Sequence, residues 1–121
     1  MMGGKKEQDH NDPEHFDRAF KAVNAKLNAE GNGEYHLVPI KLLKAESQVV
    51  SGVAYHYEAL IGESDQKRGD ASADSLTKDN TKYRGSGDRA IYKIKVWEQP
   101  WKDFVEYNVE KVRDVAHDEH I

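Results

Sequence analysis

Apolar residues keep a helical spacing over one early segment of this chain and a strand spacing over the segments that follow. Phe16, Ala19, Phe20, Val23 and Leu27 stand at i, i+3, i+4, i+7 and i+11, which keeps them on one side of a 3.6-residue repeat. After Gly31-Asn32-Gly33 the period changes. Val53, Tyr55, Tyr57, Ala59 and Ile61 alternate with other residues, as do Tyr92, Ile94 and Val96 and then Val105, Tyr107 and Val109. These are the aromatic and β-branched types that suit a half-buried strand. The run from Tyr35 to Ala45 also reads as a strand, with Pro39 marking an edge, a bulge or a strand start. A helix that comes first and strands that follow predict an α+β fold, with a single helix packed across a curved antiparallel β-sheet of four to five strands.

Local chemistry sets the ends of these elements. Asp12 can accept from free backbone N–H groups, Pro13 fits a first helical turn, and Glu14 suits the positive end of the helix dipole. At 121 residues the chain predicts one domain over 1–121. Within it, residues 1–11 have nothing to bury and predict a mobile arm. Residues 62–89 turn to Asp, Lys, Ser and Gly, too polar to offset the entropy of ordering, and predict a flexible insertion. Residues 113–121 predict a loose tail. With no cysteine there is no disulfide framework, no thiolate nucleophile and no thiolate metal site, so packing alone must hold the fold.

The charge balance narrows the partners. Eighteen Lys and Arg against twenty-two Asp and Glu leave a net charge of −4, with the basic residues scattered, which argues against nucleic acid and against an acidic membrane. No run of even about ten apolar residues occurs, so neither a membrane span nor a secretory leader is expected in the chain as given.

Two predicted hairpin tips have unusual composition. Gln48-Val49-Val50-Ser51-Gly52 lies between two strands, and Val is stiff and apolar where tips usually take Asn, Asp, Gly or Pro. Either a partner covers the valines, or the strands continue and the turn lies at Ser51-Gly52. The second tip, Gln99-Pro100-Trp101, places a large indole where Pro100 interrupts the ladder. Trp is a common interface anchor, because it buries much area with little rotamer loss. The alternative is an indole folded back onto the sheet, as expected for Trp97.

These segments resemble the cystatin family. Gln48-Val49-Val50-Ser51-Gly52 is similar to the family's Gln-x-Val-x-Gly loop, Pro100-Trp101 to its second hairpin, and Gly3-Gly4 to the glycine that ends its N-terminal arm. The three occur in family order, and the resemblance spans Gly4 to about Val109 except the insertion. The resemblance implies a reversible, tight-binding inhibitor of papain-like, cathepsin-type cysteine peptidases, in which the arm and two hairpins form a wedge that plugs the cleft. Gly3 and Gly4 would let the arm bend, with Met1 or Met2 filling an apolar subsite. Val49 and Val50 would supply central contact, Gly52 the turn and Trp101 a flat contact, while Gln48 braces the loop. A second site, for legumain-type asparaginyl peptidases, is implied at Asn32; the alternative there is a plain turn with Asn32 left-handed. A monomer is expected, able to form a domain-swapped dimer if the valine-bearing tip stores strain.

No cofactor, metal or catalytic residue is expected. The six histidines lack a helical metal spacing, and His117 with His120 has no rigid shell around it. Gly85-Ser86-Gly87 lacks the strand-to-helix context of a nucleotide loop. Glu106 and Glu110 read as a solvated strand face rather than an acid-base pair. An alternative to inhibition is a binding module of the same fold without inhibitory activity; a remoter one is a small enzyme. Export with the signal already removed is the favoured location, with the cytoplasm as the alternative.

Overall fold

The computed structural model describes residues 3–121. Helix α1 spans Pro13–Val23, and the Asp12 carboxylate accepts the Glu14 backbone N–H at 2.9 Å. A cap of this kind contributes about 1 kcal/mol. Ala19, Phe20, Ala22 and Val23 are buried, and Phe16 and Leu27 pack at the margins. A wider helical turn continues through Asn24–Asn28. There the Arg68 guanidinium takes the carbonyls of Asn28 (2.7 Å) and Leu27 (3.2 Å), groups that a helix end leaves without partners. Asn28 then ties this end to the sheet, accepting from Leu37 N and donating to Leu37 O.

Five strands follow the order β1-β2-β3-β4-β5, each antiparallel to its neighbour: β1 Lys6–Glu7, β2 Tyr35–Val50, β3 Gly52–Lys67, β4 Arg89–Gln99 and β5 Phe104–Val115. Pro39 lies at a register shift, beyond the reach of β1, which pairs only with Glu46 and Ser47. The missing N–H therefore costs no ladder bond to β1 there. One face of the sheet receives the helix. Ala19, Ala22 and Val23 meet Leu42, Ala45, Tyr57, Ala59, Ile61, Ile94 and Val96. Alanines on both sides let the helix lie close, and each fully buried Val, Leu or Ile contributes roughly 1.5–3 kcal/mol.

The three segments expected to be loose each make defined contacts in the structure. Within the arm over 1–11, Lys6 and Glu7 pair with Ser47 and Glu46 of β2, and Gln8 N donates to Ala45 O at 2.8 Å. The insertion over 62–89 begins inside β3, which runs on through Lys67. Its remainder folds back over the helix, where Leu76 is buried with Phe20 and Val38, and Lys78 pairs with Asp17 at 3.0 Å. A few apolar side chains, Leu76 and Tyr83 among them, offset the entropy that the average composition could not. The tail over 113–121 hooks onto the outer face. Val115 and Ile121 join Leu60 and Ile91, while Arg89 Nη2 donates to the carbonyls of Ala116 and Glu119, both at 2.8 Å.

Candidate functional site

At the end of the sheet remote from Tyr35 and Lys67, β2 turns into β3 around Ser51 alone, with Val50 paired to Gly52. This agrees with a turn at Ser51-Gly52, to which both valine-bearing strands run up. So short a reversal needs a residue free of Cβ. Gly52 sits at φ +96°, and a Cβ there would press into the Glu98 carbonyl. Val49 and Val50 keep ordinary negative φ, since Asp103 is the one non-glycine residue with positive φ among the described residues. The strain expected in the valines is thus absent from their φ angles; the left-handed burden falls on Gly52. Val49 is 61 % exposed, whereas Val50 is half-buried.

Both flanks of this tip are bonded. On the arm side, Gly3 N donates to Val49 O at 3.1 Å, and Gln48 Nε2 donates to Gly3 O at 3.3 Å. Gln48 Oε1 lies 3.3 Å from His56 Nε2. Gln48 therefore braces arm to strand, while Gly4 has open space around it. Burial lowers the His56 imidazole below its ordinary value of 6.5, and Lys5 and Lys95 add to the effect. On the β4 side, Trp97 Nε1 donates to Ser51 O at 2.8 Å, and Gln99 Nε2 donates to the same carbonyl and to Ser51 Oγ, both at 3.0 Å. Trp97 is half-buried and packs on the sheet, with Phe104 of β5 edge-on at 5.4 Å.

The second tip is built differently. Pro100–Lys102 form one 3₁₀ turn, closed by Asp103 N on Pro100 O at 3.1 Å, and Asp103 takes φ +51°. Trp101, expected on this tip, stands on the turn with 63 % of its surface exposed. Below both tips, Arg18 of α1 bonds Glu98 Oε2 at 3.1 Å and Tyr57 Oη at 3.2 Å, and lies 3.8 Å over the Tyr55 ring. Tyr57 in turn bonds His15 Nδ1 at 2.7 Å. Burial pushes the Tyr57 hydroxyl up to about 12. Burial alone would lower the Arg18 guanidinium, but its bonds to Tyr57 and Glu98 outweigh that and hold it above its ordinary value.

Gly3, Gln48, Val49, Val50, Ser51 and Gly52 thus share one end of the sheet, and the Ser51 bonds to β4 bring the strand that leads into Pro100 and Trp101 to the same end. Met1 and Met2, assigned to an apolar subsite, lie outside the described residues. Asn32 is not part of this group: it is exposed on the turn before β2, at the other end of the sheet, and it is Gly33, not Asn32, that has positive φ. Sequence reasoning missed Trp97, Gln99, His56 and Arg18. A polar residue beside the second tip was the one available signal for Gln99. Among the described residues no group of three or more His, Asp or Glu side chains is arranged to hold a metal ion.

Comparison with known proteins agrees with this architecture. A family model of the cystatin domain matches residues 3–114. Cystatin cpi-1 of Caenorhabditis elegans is 38 % identical over 114 residues, covering 93 % of this chain and 81 % of that one. Cystatin cpi-2 of Brugia malayi is 38 % identical over 109 residues, covering 90 % of this chain and 66 % of that one. The fold matches a salivary cystatin from the soft tick Ornithodoros moubata with a TM-score of 0.79 at 19 % identity, over 92 % of this chain and 98 % of the tick protein. With one helix on a five-stranded antiparallel sheet and a family match over nearly its whole length, the chain belongs to the cystatins, a family of cysteine protease inhibitors and not of enzymes.

Proposed function

We propose that this cystatin is a reversible, tight-binding inhibitor of papain-like, cathepsin-type peptidases, and that its binding surface is the end of the sheet carrying Gly3, Gly4, Gln48 to Gly52, Pro100 and Trp101. The observation that carries this reading is the pairing of bonded backbone with unbonded apolar side chains. Val49 stands out to solvent from a tip whose backbone is already held by Gly3, Trp97 and Gln99, and Trp101 from a turn closed by Asp103 N on Pro100 O. Loops fixed before contact lose little entropy on binding, which lets an interface of standard size, roughly 800 Å² per partner, be tight. Each tip would offer the peptidase apolar surface without offering an extended peptide in register with its nucleophile.

Titration of active papain with the protein tests the proposal. Near-stoichiometric loss of activity at nanomolar enzyme is the expected result. Full activity at micromolar protein would leave a binding module without inhibition as the better reading.

A second inhibitory site is favoured by one observation, the exposure of Asn32 on a turn at the end remote from both tips. An asparaginyl peptidase held there would not compete with papain. Inhibition of legumain that persists under saturating papain and disappears in Asn32→Ala is the expected outcome; loss of legumain inhibition on adding papain would count against two separate sites.

A further inference from the structure

The apex of the first tip is a single peptide unit, Ser51 to Gly52, and its carbonyl oxygen points back into the molecule. Trp97 Nε1 reaches it at 2.8 Å and Gln99 Nε2 at 3.0 Å, so both lone pairs are occupied. Gln99 is only 7 % exposed, and its amide also donates to Ser51 Oγ, so little room remains for it to swing away. On the other side of the same peptide, Gly52 rests against the Glu98 carbonyl with no space for a further atom. Three successive residues of β4 therefore fix one peptide plane in β2–β3. None of these contacts is needed to form the hairpin, whose ladder already closes at Val50 and Gly52.

We infer that Trp97 and Gln99 are positioning residues that lock the Ser51–Gly52 peptide, making the first tip rigid for binding and resistant to cleavage by the enzyme it enters. The inference rests on the proposed inhibition of papain-like peptidases. Cleavage requires the peptidase thiolate to add to the Ser51 carbonyl carbon, with the π electron pair moving to Ser51 O. The C–N bond then breaks as Gly52 N takes a proton from the enzyme's imidazolium, and water later releases the acyl group. For the first step Ser51 O must sit among the enzyme's own oxyanion donors. It cannot reach them while Trp97 and Gln99 hold it inward, and letting go means breaking both bonds and unseating Gly52.

Three variants test this: Trp97→Phe, which keeps a smaller aromatic ring against Phe104 and loses the indole N–H; Gln99→Met, close in shape but without the donor; and the pair combined. A hydrogen bond nets about 0.5–1.5 kcal/mol, so each single variant should weaken papain inhibition by up to about ten-fold and the pair by up to about a hundred-fold. The dissociation rate should rise. Mass spectrometry should find slow nicking between Val50 and Val53 in the pair and none in the parent protein. A pair that inhibits with unchanged affinity and stays intact overturns the inference. If the parent protein itself fails to inhibit papain, the functional proposal falls instead. The locking is then read from hydrogen exchange at residues 49–53, which should quicken in Trp97→Phe; unchanged exchange would refute it. Circular dichroism checks that each variant is folded, and the single Trp97→Phe keeps the test open if Gln99→Met is not.

Discussion

The two hairpin tips at the proposed binding end solve the same exposure problem in opposite ways. The first is held from outside: its backbone is bonded by Gly3 on one flank and by Trp97 and Gln99 on the other, and it projects one small side chain, Val49. The second is held by itself, through a 3₁₀ turn closed on Pro100 and a left-handed Asp103, and it projects a large one, Trp101. Shape comes from the first tip and contact area from the second. A substitution in the first should therefore disturb the fold together with binding, whereas one in the second should disturb binding alone.

The largest effect is expected at Gly52. Gly52→Ala adds a Cβ where the Glu98 carbonyl lies and forces alanine to φ +96°. Strain of this kind costs about 1–3 kcal/mol, to which the steric clash adds. Papain inhibition should fall by on the order of a hundred-fold, with the melting temperature lower by roughly 5 °C. A Gly52→Ala protein with the parent's melting temperature would break the claim that the first tip is structurally constrained. Trp101→Ala should come next. Interface anchors contribute about 2 kcal/mol or more, so inhibition should weaken by about thirty-fold. The melting temperature should stay within about 1 °C, because so little of the indole is buried against the fold. A large drop in melting temperature would show that the tips are not divided as described.

Removal of residues 1–4 should have a smaller effect. It deletes the two bonds between Gly3 and the first tip but leaves Lys6 and Glu7 on β2. At about 1 kcal/mol net for the two exposed bonds together, inhibition should weaken about five-fold, chiefly through faster dissociation, as followed by stopped-flow recovery of papain activity. An unchanged dissociation rate would mean that the arm braces nothing.

How far this division could be read from the sequence follows from the reach of its contacts. The helix start at Asp12-Pro13-Glu14, the alternation of Val53 to Ile61 and the turn at Ser51-Gly52 are local patterns, and the structure agrees with each. The mismatches are long-range. Leu76 is one apolar residue in a polar stretch, and no local rule says that Phe20 and Val38 will receive it. Arg68 caps a helix end about forty residues earlier, which no helix-stop signal reveals. The first tip was legible as a motif, whereas its lock was not, because Trp97 and Gln99 reach Ser51 across nearly fifty positions. The second tip, closed within four residues, could be read almost whole.

The smallest effect, and the finest test of the contrast, is on pH. His56 touches the first tip through Gln48, and its imidazole is lowered from 6.5 by burial, then by Lys5 of the arm and Lys95 of β4, with Glu46 opposing them. The folded state thus holds this proton less tightly than the unfolded chain. Linkage then makes the His56 contribution to stability complete above about pH 6.5, to be lost as the pH falls from there through the folded value. Denaturation at pH 7.5 and 5.5 should show a drop in stability that is smaller in His56→Leu. Trp101 carries no titrating group, so Trp101→Ala should keep the parent's drop. An NMR titration should place His56 below 6.5 in the whole chain and higher once residues 1–5 are removed, because Lys5 leaves with them. If removal of the arm leaves the His56 titration where it was, the arm is not electrostatically coupled to the first tip, and it supports that tip through the Gly3 hydrogen bonds alone.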